Sequence, residues 1–351
     1  MRSKPVFESL NGLRGVAAMM VVAFHWSLAN ALPLHYGFLA VDLFFVISGF
    51  VIAAAYEARL RSDLSLAQFF AIRFIRLYPL YIMGTGIAFA VAMVSFVLRG
   101  GVSEANVPAF AAAPYATLMA PAPPLHGADA TLYPLNPAAW SLFFELIANL
   151  VYAASPRFWT MKKLVAVMAG CALFLLASPN FYGGGGVFWS SIALGLARVF
   201  YSFFAGVAIF RLYEAGVRLQ GLPASLVIVA FFGLLVAPYA IGVAPVGLIG
   251  LPLLVAFAVN ANPSGALRNV FADLGLASYA VYALHAPLHG LMIAVLARLH
   301  VDALISADIA LWLTLAPLGL LAARRYDAPV RARLTGAFNA LHRAAFARQR
   351  A

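Results

Sequence analysis

The sequence predicts an all-α polytopic membrane protein, a bundle of about ten transmembrane helices with both termini on the cytoplasmic side. Composition is the first reason. Of 351 residues, 64% are apolar and 10% charged, where ordinary soluble domains carry roughly a quarter charged residues. The second is a series of apolar runs near the length of about 20 residues that a bilayer requires. They fall at 10–30, 38–56, 74–98, 138–154, 164–178, 188–210, 222–238, 242–260, 273–297 and 304–322. The third is charge placement. With Arg2 and Lys4 cytoplasmic, Arg99 and Arg298 alone of the 23 basic residues fall outside, and Arg14 and Arg198 fall within spans. An excess of Lys and Arg in inner segments selects an N-in, C-in topology and an even number of crossings. The runs 164–178 and 222–238 are the shortest, and losing one would invert everything after it.

Residues 1–325 are expected to form the membrane domain and 326–351 a basic cytoplasmic tail, most simply a surface helix on the anionic inner leaflet. No cleavable signal peptide is predicted, because the first apolar run carries an arginine and lacks a small-residue cleavage site. The net charge of +11 is spread between apolar runs, so it reports topology; nucleic acid is not an expected partner. Cys171 is the single cysteine, which excludes an internal disulfide and a cysteine-cluster metal site. It reads as a small buried hydrophobe.

The first span, LNGLRGVAAMMVVAFHWSLAN, places Arg14 and His25 in one apolar helix. Their spacing is roughly 1,100° of turn and about 16 Å of rise, so they share a face at different depths. Charged groups within a span favour a cavity over lipid. The simpler alternative has Arg14 reaching the inner headgroups and His25 satisfied inside the bundle. In the second span Asp42 lies about a turn below the outer interface, at a depth comparable to His25. It either orients the imidazole as a general base or caps the start of its helix. Ser48-Gly49 reads as a close-packing point more readily than as a nucleophile, though Ser48 can line the cavity.

The third run opens RFIRLYPLYI, residues 73–82. Arg73 and Arg76, one turn apart at its cytoplasmic mouth, with Tyr78 next to them, fit two readings: a phosphate grip with an aromatic neighbour, or topogenic charges. The loop at 99–137 is rich in proline and reads as an ordered lid or a loose linker. In the fourth span Trp140 marks the outer interface and Glu145 lies deeper, again level with His25. A buried carboxylate requires a proton-transfer role or a partner such as Arg198. Glycines 183–186 read as a flexible turn. In the ninth span Ser278, Tyr282 and His285 form one polar stripe lining the cavity, Pro287 bends the helix, and Tyr279 and His289 point elsewhere. No internal repeat is visible.

Together these blocks resemble the membrane acyltransferase-3 family of integral-membrane O-acyltransferases. The resemblance rests on Leu10-Asn11-Gly12-Leu13-Arg14-Gly15 with His25, the second-span block from Val41 and Asp42 to Ser48, Gly49 and Phe50, Arg73-x-x-Arg76-x-Tyr78-Pro79, Trp140-Ser141-Leu142-x-x-Glu145, and Ser278-Tyr279-x-x-Tyr282-x-x-His285. It implies a ten-span bundle in a bacterial inner membrane and acyl-CoA, chiefly acetyl-CoA, as co-substrate, with no bound cofactor and no metal. The acceptor it implies is a hydroxyl of a glycan or lipid-linked saccharide. His25, with Asp42 and Glu145, is then catalytic, and Arg14, Arg73, Arg76 and Tyr78 hold the donor. Ser48, Trp140, Ser278, Tyr282 and His285 line the cavity. Asn11 stands where the family usually has Asp. Members that modify peptidoglycan or O-antigen often carry an additional C-terminal hydrolase-like domain, which these residues do not include. The rival reading is a transporter or flippase of a glycolipid or acyl group, with the same polar residues as a proton relay.

Overall fold

The computed structural model describes residues 7–26, 33–98, 101, 107–124, 127, 129–178 and 185–348. Arg2, Lys4, Arg99, Arg350, Gly183 and Gly184 lie outside the described residues. Within them the chain is helical, with one isolated antiparallel bridge between Thr131 and Phe188. Each of the ten apolar runs carries a helix. Five stretches are long and apolar enough to cross a membrane: Gly37–Leu60, Leu66–Leu98, Trp189–Glu214, Gly265–Leu299 and Leu304–Arg343.

The first helix, α1 (Glu8–His25), packs along α10 (Gly265–Leu299) through small residues. A Cβ on Gly12 or Gly15 would come within 2.4 Å of Phe271 or Leu274, and one on Gly275 within 2.5 Å of Asn11. In an apolar solvent helices gain little from hydrophobicity and associate through such close approach. Helices α2 (Ala40–Leu60) and α7 (Ile192–Glu214) meet in the same way. There Gly49 faces the Phe203 carbonyl and Gly206 faces the Val46 carbonyl, at 1.9 and 2.0 Å from a built Cβ. Ser48-Gly49 is thus a packing point, as its composition predicts. At one end of this pair the buried Glu57 gathers Arg61, Arg211 at 2.5 Å and the Tyr152 hydroxyl at 2.7 Å.

Helix α3 (Leu66–Leu98) begins well before the apolar run at 74. Arg73 and Arg76 therefore lie in its second and third turns and not at its mouth. The loop that follows is ordered where described. It contains α4 (Val107–Thr117), whose end receives the Tyr78 and Tyr81 hydroxyls on the carbonyls of Thr117 and Ala116, both at 2.9 Å. It then leads into α5 (Ala139–Ala154). On the way Asn136 donates to the Ala283 carbonyl at 3.0 Å. That acceptor is the one Pro287, lacking an N–H, cannot use four residues later in α10.

Helices α6 (Met161–Ala177), α8 (Ala224–Leu235) and α9 (Leu251–Ala258) complete the bundle, and Cys171 is half-buried on α6. Helix α11 (Leu304–Ala322) passes through a π-turn at Ala323–Asp327 into α12 (Ala328–Arg348). The expected boundary at 325/326 thus falls inside one continuous helical rod. The tail helix also touches the start of α3, where Gln68 Nε2 meets His342 Nε2 at 2.8 Å.

Candidate active site

Two cavities lie along the bundle, with Val41 and Tyr282 in the walls of both. The inner one is lined by Arg14 from α1, Ser48 from α2, Arg73 and Arg76 from α3, Glu145 from α5 and Tyr279 from α10. Arg73 Nη2 donates to Glu145 Oε1 at 3.0 Å, and the Ser48 hydroxyl donates to the same oxygen at 2.6 Å. Arg14 lies within the electrostatic reach of Glu145 and Arg73. Arg76 sits over the Tyr279 ring, 5.1 Å from its centroid, and Asp327 Oδ2 lies 3.5 Å from its Nη1. Arg73 Nε and Arg76 Nη1 are buried without a hydrogen-bond partner among the described residues. Three guanidinium groups against one lining carboxylate leave a positive chamber with unused donors, the environment that phosphate or carboxylate oxygens seek.

The outer cavity contains His25, His285 and His289 with Trp26, Trp140 and Arg198. His25 is exposed to it, and its ring lies 5.5 Å from that of His285. His25 Nδ1 is 2.8 Å from the Val21 carbonyl, and His285 Nδ1 is 2.7 Å from the Tyr282 carbonyl. A carbonyl only accepts, so Nδ1 of each neutral ring carries the hydrogen and Nε2 keeps the lone pair. Both rings thus present proton acceptors. His289 Nε2 instead bonds Asp308 at 2.9 Å, and its ring stacks on Trp26 with centroids 4.8 Å apart. The hydroxyl of Tyr282, the tyrosine in both walls, meets Ser141 Oγ at 2.6 Å.

Several expectations change. Neither carboxylate hydrogen-bonds His25 among the described residues. Asp42 instead forms a buried pair with Arg198, at 2.5 and 3.3 Å, while Arg198 also donates to the Gly185 carbonyl at 2.9 Å. Glu145 takes the partnered alternative, with Arg73 as its cation, and lies level with the arginines and not with His25. The imidazole is oriented by its own helix. Tyr78 faces α4, and Tyr279 occupies the place expected of it beside Arg76. Ser278 donates to the Gly275 carbonyl at 2.8 Å in its own helix and lines neither chamber. Tyr279 and His289, set aside by helical phase, face the inner and outer chambers; Ser48 lines the inner cavity, Trp140 and His285 the outer, and Tyr282 both. Among the described residues no group of three or more His, Cys, Asp or Glu side chains could hold a metal.

A family model described as an acyltransferase domain matches residues 7–323. The chain belongs to this family. Protein 2 in the picA locus of Rhizobium radiobacter is 36% identical over 181 residues, covering 49% of this chain and 94% of that protein. The peptidoglycan O-acetyltransferase OatA of Listeria monocytogenes is 37% identical over 84 residues, which are 23% of this chain and 13% of OatA. No solved structure matches. The acyltransferase therefore carries its family's domain across both chambers, and this membership places it among enzymes and not among carriers. The matched region ends inside the π-turn, at residue 323, so Asp327 and α12 extend past it.

Proposed function

We propose that this acyltransferase moves an acyl group, acetyl in the simplest case, from cytoplasmic acyl-CoA to a hydroxyl of an envelope or exported glycan. The acceptor sugar belongs to an exopolysaccharide, an O-antigen or a lipid-linked saccharide. On this reading the chain crosses a bacterial inner membrane ten times with both termini inside, as the distribution of basic residues favours. The single observation that carries it is the stacking of a cationic chamber on an imidazole chamber with one tyrosine in both walls. The donor phosphates bind Arg73 and Arg76, with Arg14 as a third cation, and the pantetheine arm lies along Phe44, Phe45 and Leu77.

For transfer the Tyr282–Ser141 contact must part so that the thioester reaches His25. His25 Nε2 takes the proton of the acceptor hydroxyl while that oxygen bonds to the thioester carbonyl carbon. The carbon–sulfur bond breaks, and the proton passes to the CoA thiolate, releasing free CoA. A second route with the same balance is an acyl-imidazole relay, in which His25 Nε2 takes the acyl group as the carbon–sulfur bond breaks and then yields it to the acceptor oxygen.

The test uses reconstituted protein, radioactive acetyl-CoA and no ion gradient. Wild-type protein should release free CoA. His25→Ala should insert normally and lose transfer, by about 10²-fold or more. Replacing Arg73 and Arg76 with Gln should raise the donor KM with little change in the acceptor KM. Normal turnover in the His25 variant, or an unchanged donor KM in the arginine variant, removes the corresponding assignment. On rapid quench, a protein-bound acyl group that disappears with His25 selects the relay.

A further inference from the structure

A third cavity shares α3 with the inner chamber. It is an open groove between the first turns of α3 and the tail helix α12. Ile72 and Ile75 line this groove, while Arg73 and Arg76, each the next residue, line the inner chamber. Successive helical residues are turned by about 100°. The two cavities therefore touch adjacent faces of α3 at the same height.

An ion-pair chain runs from Arg76, in the wall of the inner chamber, to α12. Asp327 Oδ2 lies 3.5 Å from Arg76 Nη1 and 3.0 Å from Arg331 Nε. Asp327 is thus shared between the two guanidinium groups, one carboxylate against two cations. From Arg331, α12 continues the same stripe through Thr335, Phe338 and His342 into the groove, residues spaced to share one helical face. The Phe338 and His342 rings stack with planes 4° apart and centroids 6.2 Å apart. Gln68 and Asn339 add carboxamides, and Leu64 adds to the apolar floor. Arg59 and Asp63 stand at the rim, the carboxylate engaged by the Ser62 hydroxyl at 2.6 Å.

An aromatic platform over an apolar floor, edged by carboxamides and joined by cations to a second chamber, matches a purine nucleotide with a phosphate-bearing arm. We propose that this groove binds the nucleotide end of coenzyme A. Adenine lies against Phe338, the diphosphate passes Arg331, taking the place of Asp327 there, to reach Arg76 and Arg73, and the pantetheine arm continues into the inner chamber. This assignment rests on the donor reading above and extends it to a helix beyond the matched family domain. An anionic lipid headgroup would satisfy the same cations but has no base to place on the aromatic pair.

Calorimetric titration of the full chain in neutral-lipid nanodiscs with coenzyme A and with 4′-phosphopantetheine tests it. Wild-type protein should bind coenzyme A at least about tenfold more tightly, the order of effect that base stacking on an aromatic gives. Thr335→Trp, which fills the groove, and Phe338→Ala, which removes the platform, should each erase that advantage while leaving phosphopantetheine affinity within about twofold. Equal affinity of wild-type protein for the two ligands overturns the proposal. So does parallel loss of both ligands in the groove variants, or displacement of coenzyme A by added anionic lipid with no effect on phosphopantetheine. The Arg73/Arg76 variant separates the two levels: if it binds both ligands normally, the donor reading itself fails, whatever the groove variants do.

Discussion

Asp42 and Arg198 show what a charge requires inside an apolar bundle. Each is almost fully buried, and each would cost several kcal/mol to leave alone in a low-dielectric interior. Arg198 also lies over the Trp140 ring, 5.5 Å from its centroid. We expect Asp42→Asn to lower stability by about 3–5 kcal/mol through the arginine it strands, whereas Asp42→Leu with Arg198→Leu should recover most of the loss. Thermal unfolding in detergent measures both. An Asp42→Asn protein with wild-type stability and no activity would instead return Asp42 to the catalytic role its sequence position implies. The same contrast applies to His25, whose tautomer is set by the Val21 carbonyl one turn earlier in α1. That bond comes from helix geometry and needs no carboxylate.

The helices are held by approach distance more than by bulk. Gly49 and Gly206 let α2 and α7 bring backbone against backbone, and this pair positions both Ser48 and Asp42. Gly206→Leu should force the helices apart and cost at least about 1–3 kcal/mol, the usual penalty of overpacking. Gly233→Leu on α8, with no neighbour within 4 Å of its built Cβ, should be tolerated. Size-exclusion profiles and melting temperatures of the two variants make the comparison, and equal behaviour would show that the α2–α7 contact is slack. Helix existence was legible in the sequence because apolar runs of this length have few other solutions in lipid. The early start of α3 was not, since the apolar run that marks the span begins only at 74, after the charged pair's first arginine. That shift moves Arg73 and Arg76 from the mouth of the helix into the wall of a chamber.

At the scale of the whole molecule, the two chambers have meaning only if the arginines face the cytoplasm and the imidazoles the other side. A Cys171→Ser background has no cysteine. In it, Ser62→Cys should react with an impermeant maleimide only in inverted vesicles, and Ala130→Cys only in intact cells. The opposite pattern would reverse the sides of donor and acceptor. The continuous rod of α11 and α12 is the other large-scale feature. It carries Asp327 to the back of Arg76 and lays the tail helix against the start of α3. The tail's many arginines read as a membrane-surface signal in sequence, because charge composition does not tell which face of a helix finds a partner.

The sequence by itself determined the class of protein, the places of its helices, the bias of its basic residues and the family blocks that contain Arg14, His25, Arg73, Arg76 and Glu145. Only the tertiary structure decided who faces whom: Asp42 with Arg198, Glu145 with Arg73, Tyr279 in place of Tyr78, and Asp327 behind Arg76. The reason is physical. Helix formation follows from local hydrogen bonding and apolar length, which a chain displays in order. The partner of a buried charge depends on helix phase and approach between residues as much as 251 positions apart, as Arg76 and Asp327 are, and packing sets both.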